Sequence, residues 1–327
     1  MATVEPDARR RRREEARRRT RRQRLTVLGG GLALGLLVLV VAVGAGGGDA
    51  GGDGGDREEA QRPAKPAELP RGGRSILPEN RVVAFYGAPQ DEELGVLGIG
   101  SPAQAGRRLE RQAKAYSRRK RPVLPAFELI STIVQRAPGD DGDYAEPQKP
   151  AVIDRYLRAA RRRKALLILD IQPGRASFVE ETKALRRWLE EPDVSLALDP
   201  EWSMGPGEVP GQSIGSTDAQ TVNRVSAYLA SIVREKRLPQ KLLVVHRFTK
   251  GMIKDEGSLR EPPGVALAVN VDGFGTQAQK KAKYREFTRG KRSRRNGFKL
   301  FLREDTGLMT PRQTLRLRPS PDLIVYE

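Results

Sequence analysis

Cysteine is absent from the chain. That removes disulfides, zinc-thiolate sites, thiol nucleophiles and a lipid-modified Cys behind an apolar segment. One histidine, His246, stands in 327 residues, so mechanisms that need two or three imidazoles are excluded, zinc amidohydrolases and phosphoinositide-type phospholipases among them. Aromatic residues are scarce at 5%. Their scarcity argues against nucleic acid as the partner, although a net charge of +19 invites that reading. The charge suits an anionic envelope polysaccharide equally well. No Gly-rich phosphate loop follows the first strand-like run, and nothing in the sequence requires a cofactor. No metal site is assigned.

The basic residues are unevenly spread. Residues 1–24 hold eleven Arg against four acids, and Leu25 to Ala45 follows as 21 residues without a charge. That length spans a bilayer's hydrocarbon. The flanking Arg cluster predicts a cytoplasmic N-terminus, a signal anchor over 25–45 and everything beyond it outside. Secretion after cleavage near Ala45 is the alternative, since Val43-Gly44-Ala45 resembles a cleavage site. Residues 46–80 are rich in Gly and Pro and read as a flexible linker. The folded domain is expected over 81–327.

Within it, apolar runs start at Val82, Val123, Ala165, Val194, Lys241, Val265, Phe298 and Asp322. Their near-continuous apolar character indicates strands covered on both faces, as in a parallel sheet. Helix signals lie between several of them. Ser101-Pro102 opens a basic helix to about Lys120, Ser177 and Glu180 suggest a capping box, Thr217 or Asp218 starts another helix, and Thr310-Pro311 a short one. The pattern predicts an α/β fold, a (β/α)8 barrel of the TIM type, with a doubly wound open sheet as runner-up.

A barrel carries its active site at the C-terminal ends of its strands. Those ends hold Tyr86, Glu128, Asp170 with Gln172, Asp199 with Glu201, His246, Asn270 with Asp272, and the Arg303-Glu304-Asp305 run. Crowding like charges at one mouth gains a bare scaffold nothing, because repulsion opposes ionisation there. In Leu196 to Trp202, LALDPEW, Asp199 and Glu201 sit two apart, which on an extended strand points both to one side. The loop Ser203 to Ser216 reads as a lid or substrate wall, and Trp202 and Phe274 as sugar-stacking platforms.

A barrel whose fourth strand ends in Asp-x-Glu after acids on earlier strands resembles the family-25 muramidases and, more loosely, the family-18 chitinases. The resemblance implies that Glu201 is the general acid and Asp199 its partner. The chain lacks the further acids that family 18 spaces before the Glu, with Val194 and Ala197 in their place, and the early Asp that muramidases use. Over 81–327 the chain also resembles uncharacterised membrane-anchored or secreted proteins of high-GC bacteria. The expected function is an extracytoplasmic, membrane-anchored glycoside hydrolase acting on cell-envelope polysaccharide. Its catalytic residues are Glu201, Asp199 and Asp170, and Glu128, His246, Asp272, Trp202 and Tyr86 bind substrate. Two alternatives stand beside it. One is a barrel that binds polysaccharide without cleaving it. The other is a hydrolase with a metal on Glu128, Asp170, Asp199, Glu201 and Asp272, where oxygen ligands favour Mg or Mn over zinc.

Overall fold

Val82 and Val83 show why the strand runs are apolar throughout: the first joins a cluster inside the sheet and the second a cluster between sheet and helices. A strand covered on both faces cannot alternate polar with apolar residues. The computed structural model describes residues 66–290 and 295–327. Eight parallel strands close into a barrel in chain order. They are β1 (Arg81–Gly87), β2 (Val123–Val134), β3 (Leu166–Ile171), β4 (Val194–Leu198), β5 (Lys241–Arg247), β6 (Val265–Val271), β7 (Arg295–Leu300) and β8 (Leu323–Tyr326). Closure comes from β1, which pairs with β2 on one side and β8 on the other. The open-sheet alternative is excluded by that closure. A short antiparallel strand, Ala145–Pro147, flanks the far end of β2.

Among the described residues seven helices pack outside: α1 (Pro102–Lys114), α2 (Pro150–Arg162), α3 (Phe178–Ala184), α4 (Arg186–Leu189), α5 (Ala219–Glu235), α6 (Gln277–Thr288) and α7 (Pro311–Leu315). Ser101, Thr276 and Thr310 each form a capping box with the Gln three residues on. The box expected at Ser177 and Glu180 is absent, and Ser177 caps Val179 N instead. The first helix stops at Lys114, short of the expected Lys120. Two helices, α2 and α6, were not expected, although α2 shows Pro at N1 and buried Ile153, Tyr156, Leu157 and Ala160 at helical spacing. Between β5 and β6 the described chain forms only the short strand Ile253–Lys254 and the 3-10 turn Glu256–Ser258.

The floor of the barrel corrects the domain boundary. Leu69, Ile76 and Leu77 are buried with the barrel-interior cluster. Gln240 Oε1 accepts from Ile76 N at 2.7 Å and Leu77 N at 3.0 Å. Arg71 donates to Lys164 O and Val123 O, and Arg74 to Arg237 O and Leu238 O. Residues 66–80 therefore plug the N-terminal end of the barrel. Burying each such Leu or Ile contributes roughly 1.5–3 kcal/mol, which explains why a Pro-rich stretch is ordered here. The Arg-rich tail, the expected anchor and residues 46–65 lie outside the described residues. No helix among the described residues is long and apolar enough to cross a membrane.

Candidate active site

Inside the barrel the side chains alternate inward with a period of two. Val82 and Ala84 of β1, Leu166 and Ile168 of β3, and Leu242 and Val244 of β5 fill the interior with partners from the other strands. One more step toward the mouth, the same alternation becomes polar on every strand. Tyr86 follows Ala84, Glu128 follows Ala126, Asp170 follows Ile168, Asp199 follows Ala197, His246 follows Val244, Asn270 follows Ala268, Lys299 follows Gly297 and Glu327 follows Val325. Tyr86 is level with Glu128 and His246 with Asn270, while the ring steps up by two residues at the other readable junctions, where Asp170 pairs with Ile130, Ala197 with Asp170, Gly297 with Asn270 and Val325 with Lys299.

His246 sits at its centre. Its Nε2 donates to Glu128 Oε1 at 2.9 Å, and its Nδ1 to Asp272 Oδ2 at 3.1 Å. Asn270 Nδ2 donates to Asp272 Oδ1. Lys299 Nζ bridges Asp272 Oδ2 at 3.3 Å and Glu327 Oε2 at 2.8 Å, and lies 3.7 Å from the Tyr86 ring centroid. Tyr86 OH donates to Asp170 Oδ2 at 3.1 Å and accepts from Gln172 at 3.0 Å. Gly297 leaves room for this network, because a Cβ there would overlap Asn270 Oδ1. At β2 the register shifts between Ile130 and Thr132, and Ser131 Oγ in the bulge donates to Asp170 O at 2.9 Å. A bulge beside a site re-aims its side chains.

Burial drives the electrostatics. Glu128 and Asp170 are 0% exposed and His246 1%. For Asp170, burial first, then the charges of Asp199 and Glu128, push the carboxyl up to about 8 against the opposing pull of His246 and Lys299. It is a protonated acid near neutral pH. Burial opposes a charge on His246, yet Asp272, by charge and hydrogen bond, and Glu128, by hydrogen bond, hold the imidazole well above its ordinary value. Glu128 Oε2 and Asp170 Oδ1 are buried without a hydrogen-bond partner. Such oxygens are costly to a fold that makes no use of them.

Glu128, Asp170 and His246 each offer an atom, all within 4.8 Å of one another. An ion on this set would have to displace the proton that His246 Nε2 shares with Glu128. Lys299 and His246 already supply positive charge between the carboxylates.

Of the residues singled out from sequence, Tyr86, Glu128, Asp170, Gln172, His246, Asn270 and Asp272 converge, with Asp199 close enough to act on Asp170. The extended strand on which Asp199 and Glu201 were expected to share one side is absent. The strand ends at Leu198, and Pro200–Trp202 is a 3-10 turn that Asp199 precedes without a side-chain cap. Successive residues there turn by about 120°, so positions two apart diverge. Glu201 is buried in that turn, with its carbonyl accepting from Gly215 N at 2.8 Å. Trp202 is 4% exposed and Phe274 8%, the latter edge-on to Phe301, so neither offers a sugar-stacking face. Arg303 pairs with Glu93, and Asp305 with buried Lys280 at 3.0 Å, away from the ring. The loop 203–216 is tied to the loop after β3 by Met204 N to Gly174 O at 2.7 Å and Arg175 to Glu208 O at 2.9 Å.

Lys299 and Glu327 were not among the sequence candidates. Their signal is alternation: a Lys between Phe298 and Leu300, whose side chains pack outward under helices, faces into the barrel.

No protein-family model matches the sequence. No curated protein matches it either. Among solved structures, the chain is similar to the cellulose synthase subunit Z of Clostridioides difficile, with a TM-score of 0.42 and 9% identity over 76% of this chain and 91% of that one.

Proposed function

We propose that the chain is a glycoside-hydrolase-like barrel that cleaves a cell-envelope polysaccharide by carboxylate acid-base chemistry, with Asp170 as the proton donor. The carrying observation is the Glu128 and Asp170 pair, whose oxygens lie within 4.8 Å while burial holds a proton on Asp170 up to about 8. Carboxyl groups in unlike surroundings divide the two roles that glycosidic cleavage needs. Asp170 gives its proton to the leaving oxygen as that bond breaks, and a Glu128 oxygen attacks the sugar carbon. Water then releases the sugar from Glu128 and returns a proton to Asp170. The short separation favours this retaining course, for which carboxyls stand about 5–5.5 Å apart. His246, fixed by Asp272, orients Glu128, and Asp199 favours the protonated form of Asp170. Access to a pair this deep requires the loops around the mouth to part. The barrel lies outside the cytoplasmic membrane on the single anchor Leu25 to Ala45.

The test is release of reducing ends from purified peptidoglycan between about pH 4 and 8, for the wild type, Asp170→Asn and Glu201→Gln, each with and without EDTA. Hydrolysis lost in Asp170→Asn, retained in Glu201→Gln and indifferent to EDTA is expected. Loss in Glu201→Gln with Asp170→Asn active returns the acid to Glu201. Binding without any reducing ends leaves a polysaccharide-binding barrel, and EDTA sensitivity a metal-dependent hydrolase.

A further inference from the structure

The two ends of the barrel differ in charge, the floor being the more basic. In this fold the helices run back along the strands, so the loops from helix to strand gather at the floor and those from strand to helix at the mouth. At the floor the loop from α1 to β2 exposes Arg118, Arg119 and Lys120, the next exposes Lys164, and the loop from α5 to β5 exposes Arg237. Arg289, just past α6, is exposed there as well. Several acids on this side are bridged, Glu191 and Asp193 by Arg161 and Glu190 by Arg186, while Glu79 and Glu261 are exposed among the cations. The mouth loops expose both signs, Glu92, Glu93, Asp140 and Asp141 beside Arg136, Lys149, Arg175, Lys250 and Arg303, the last of which pairs with Glu93. Helix dipoles favour cations in a helix's last turn, but Arg118 to Lys120, Lys164 and Arg237 lie beyond the helix ends, where that effect has faded.

The chain also enters at the floor. Residues 66–80 cross it, held by Arg71 and Arg74 to the starts of β2, β3 and β5. Only residues 46–65 separate this plug from the apolar run Leu25 to Ala45.

We infer that the floor of the barrel is a docking face for an anionic lipid surface, which turns the mouth away from the membrane. The inference rests on the anchor proposed above. A bilayer is favoured over a soluble anionic polymer because the tether delivers this face to it. Charges attract within a Debye length of about 8 Å at physiological salt, a distance the short tether keeps within reach. Each Lys or Arg near such a surface strengthens docking about fivefold.

The lack of native cysteine makes the test clean. Full-length chains carrying either Ser117→Cys at the floor or Gln212→Cys at the mouth, both exposed, are labelled with a fluorophore. They are reconstituted in nanodiscs of phosphatidylcholine alone or with phosphatidylglycerol, containing headgroup-quencher lipid. Quenching of the floor label only, in anionic discs only, is expected, with reversal at about 0.5 M salt. The triple change Arg118→Ser, Arg119→Ser and Lys120→Ser should weaken docking by about 100-fold. Equal quenching at both labels, or no difference between lipids, overturns the inference. So does a soluble anionic polysaccharide that displaces the floor from anionic discs while binding the triple variant equally well. Alkaline carbonate extraction reads the anchor separately: a chain stripped by carbonate but still docked beforehand refutes the anchor and keeps the docking face.

Discussion

Lys299 at the mouth and Lys241 at the floor are both fully buried in the same barrel, and they are satisfied in opposite ways. Lys241 donates to Glu191 O at 2.9 Å and Val194 O at 2.8 Å, both backbone carbonyls. Lys299 meets two carboxylates and a ring face. Carbonyls ask only for hydrogen bonds, and burial brings Lys241 down to about 7 against the weaker pull of Asp193 and Glu191. At the mouth, charges answer charges. There the carboxylates outnumber their partners, a proton is retained on Asp170, and oxygens of Glu128 and Asp170 stay without hydrogen bonds. Buried polarity is thus structural at one end and chemically poised at the other.

The largest break in that comparison is Asp170→Asn. The amide keeps the shape and the Tyr86 contact but cannot give up a proton. The proposed hydrolysis should fall about 10² to 10⁴-fold with little change in melting temperature, because the amide is neutral like the protonated acid it replaces. Reducing-end release alongside calorimetry checks both. Retained hydrolysis would reduce the mouth to scaffold polarity.

The pH dependence of stability is the next effect. Folded protein keeps the Asp170 proton up to about pH 8, whereas the ordinary value is 3.8. The unfolded chain therefore binds fewer protons across that interval, and raising pH costs stability, at most about 1.4 kcal/mol per pH unit. The contribution is full below the ordinary value and lost as pH approaches 8. Denaturant midpoints of wild type minus those of Asp170→Asn should fall steadily over this window. A flat difference would mean that Asp170 is not the group holding the proton.

Much of this architecture is legible in the residues, and the gaps have physical causes. Eight strands can be read because burial on both faces leaves uninterrupted apolar runs, and the ring at their ends because charged side chains there break those runs. Lys299 hides for the same reason that it matters: between Phe298 and Leu300 it resembles the wet face of an exposed strand, and only barrel closure turns that face inward. Glu327 hides because, after the apolar run Leu323 to Tyr326, it reads as that run's polar end. Asp199 and Glu201 mislead because Pro200 opens a 3-10 turn at the strand's end, so spacing in sequence no longer sets direction in space. The plug at 66–80 is obscured by its Gly and Pro content, since three apolar side chains and two Arg order it through contacts distant in sequence.

A smaller perturbation sharpens the mouth without touching a charge. Gly297→Ala places a methyl where Asn270 Oδ1 now lies. Overpacking of this kind costs about 1–3 kcal/mol. Asn270 must move, and with it the hydrogen bond that steadies Asp272. The expected result is a lower melting temperature together with slower hydrolysis. Lost stability with full activity would show that Asn270 does not position Asp272 for the reaction.

The smallest effect belongs to the floor, and it is the control for all the others. Lys241→Met keeps the length and apolar stem of the side chain but leaves Glu191 O and Val194 O without their donor. Losing those bonds costs about 1–2 kcal/mol, offset in part because the buried amine no longer has to be desolvated. The pH sign is opposite to that at the mouth. The amine's ordinary value is 10.5 and its folded value about 7, so the unfolded chain binds more protons between them and raising pH stabilises the wild type there. That contribution is full above 10.5 and lost as pH falls through 7. The wild-type advantage over Lys241→Met should therefore grow between pH 7 and 10.5, while hydrolysis at neutral pH stays unchanged. An activity loss comparable to that of Asp170→Asn would erase the division between a structural floor and a reactive mouth.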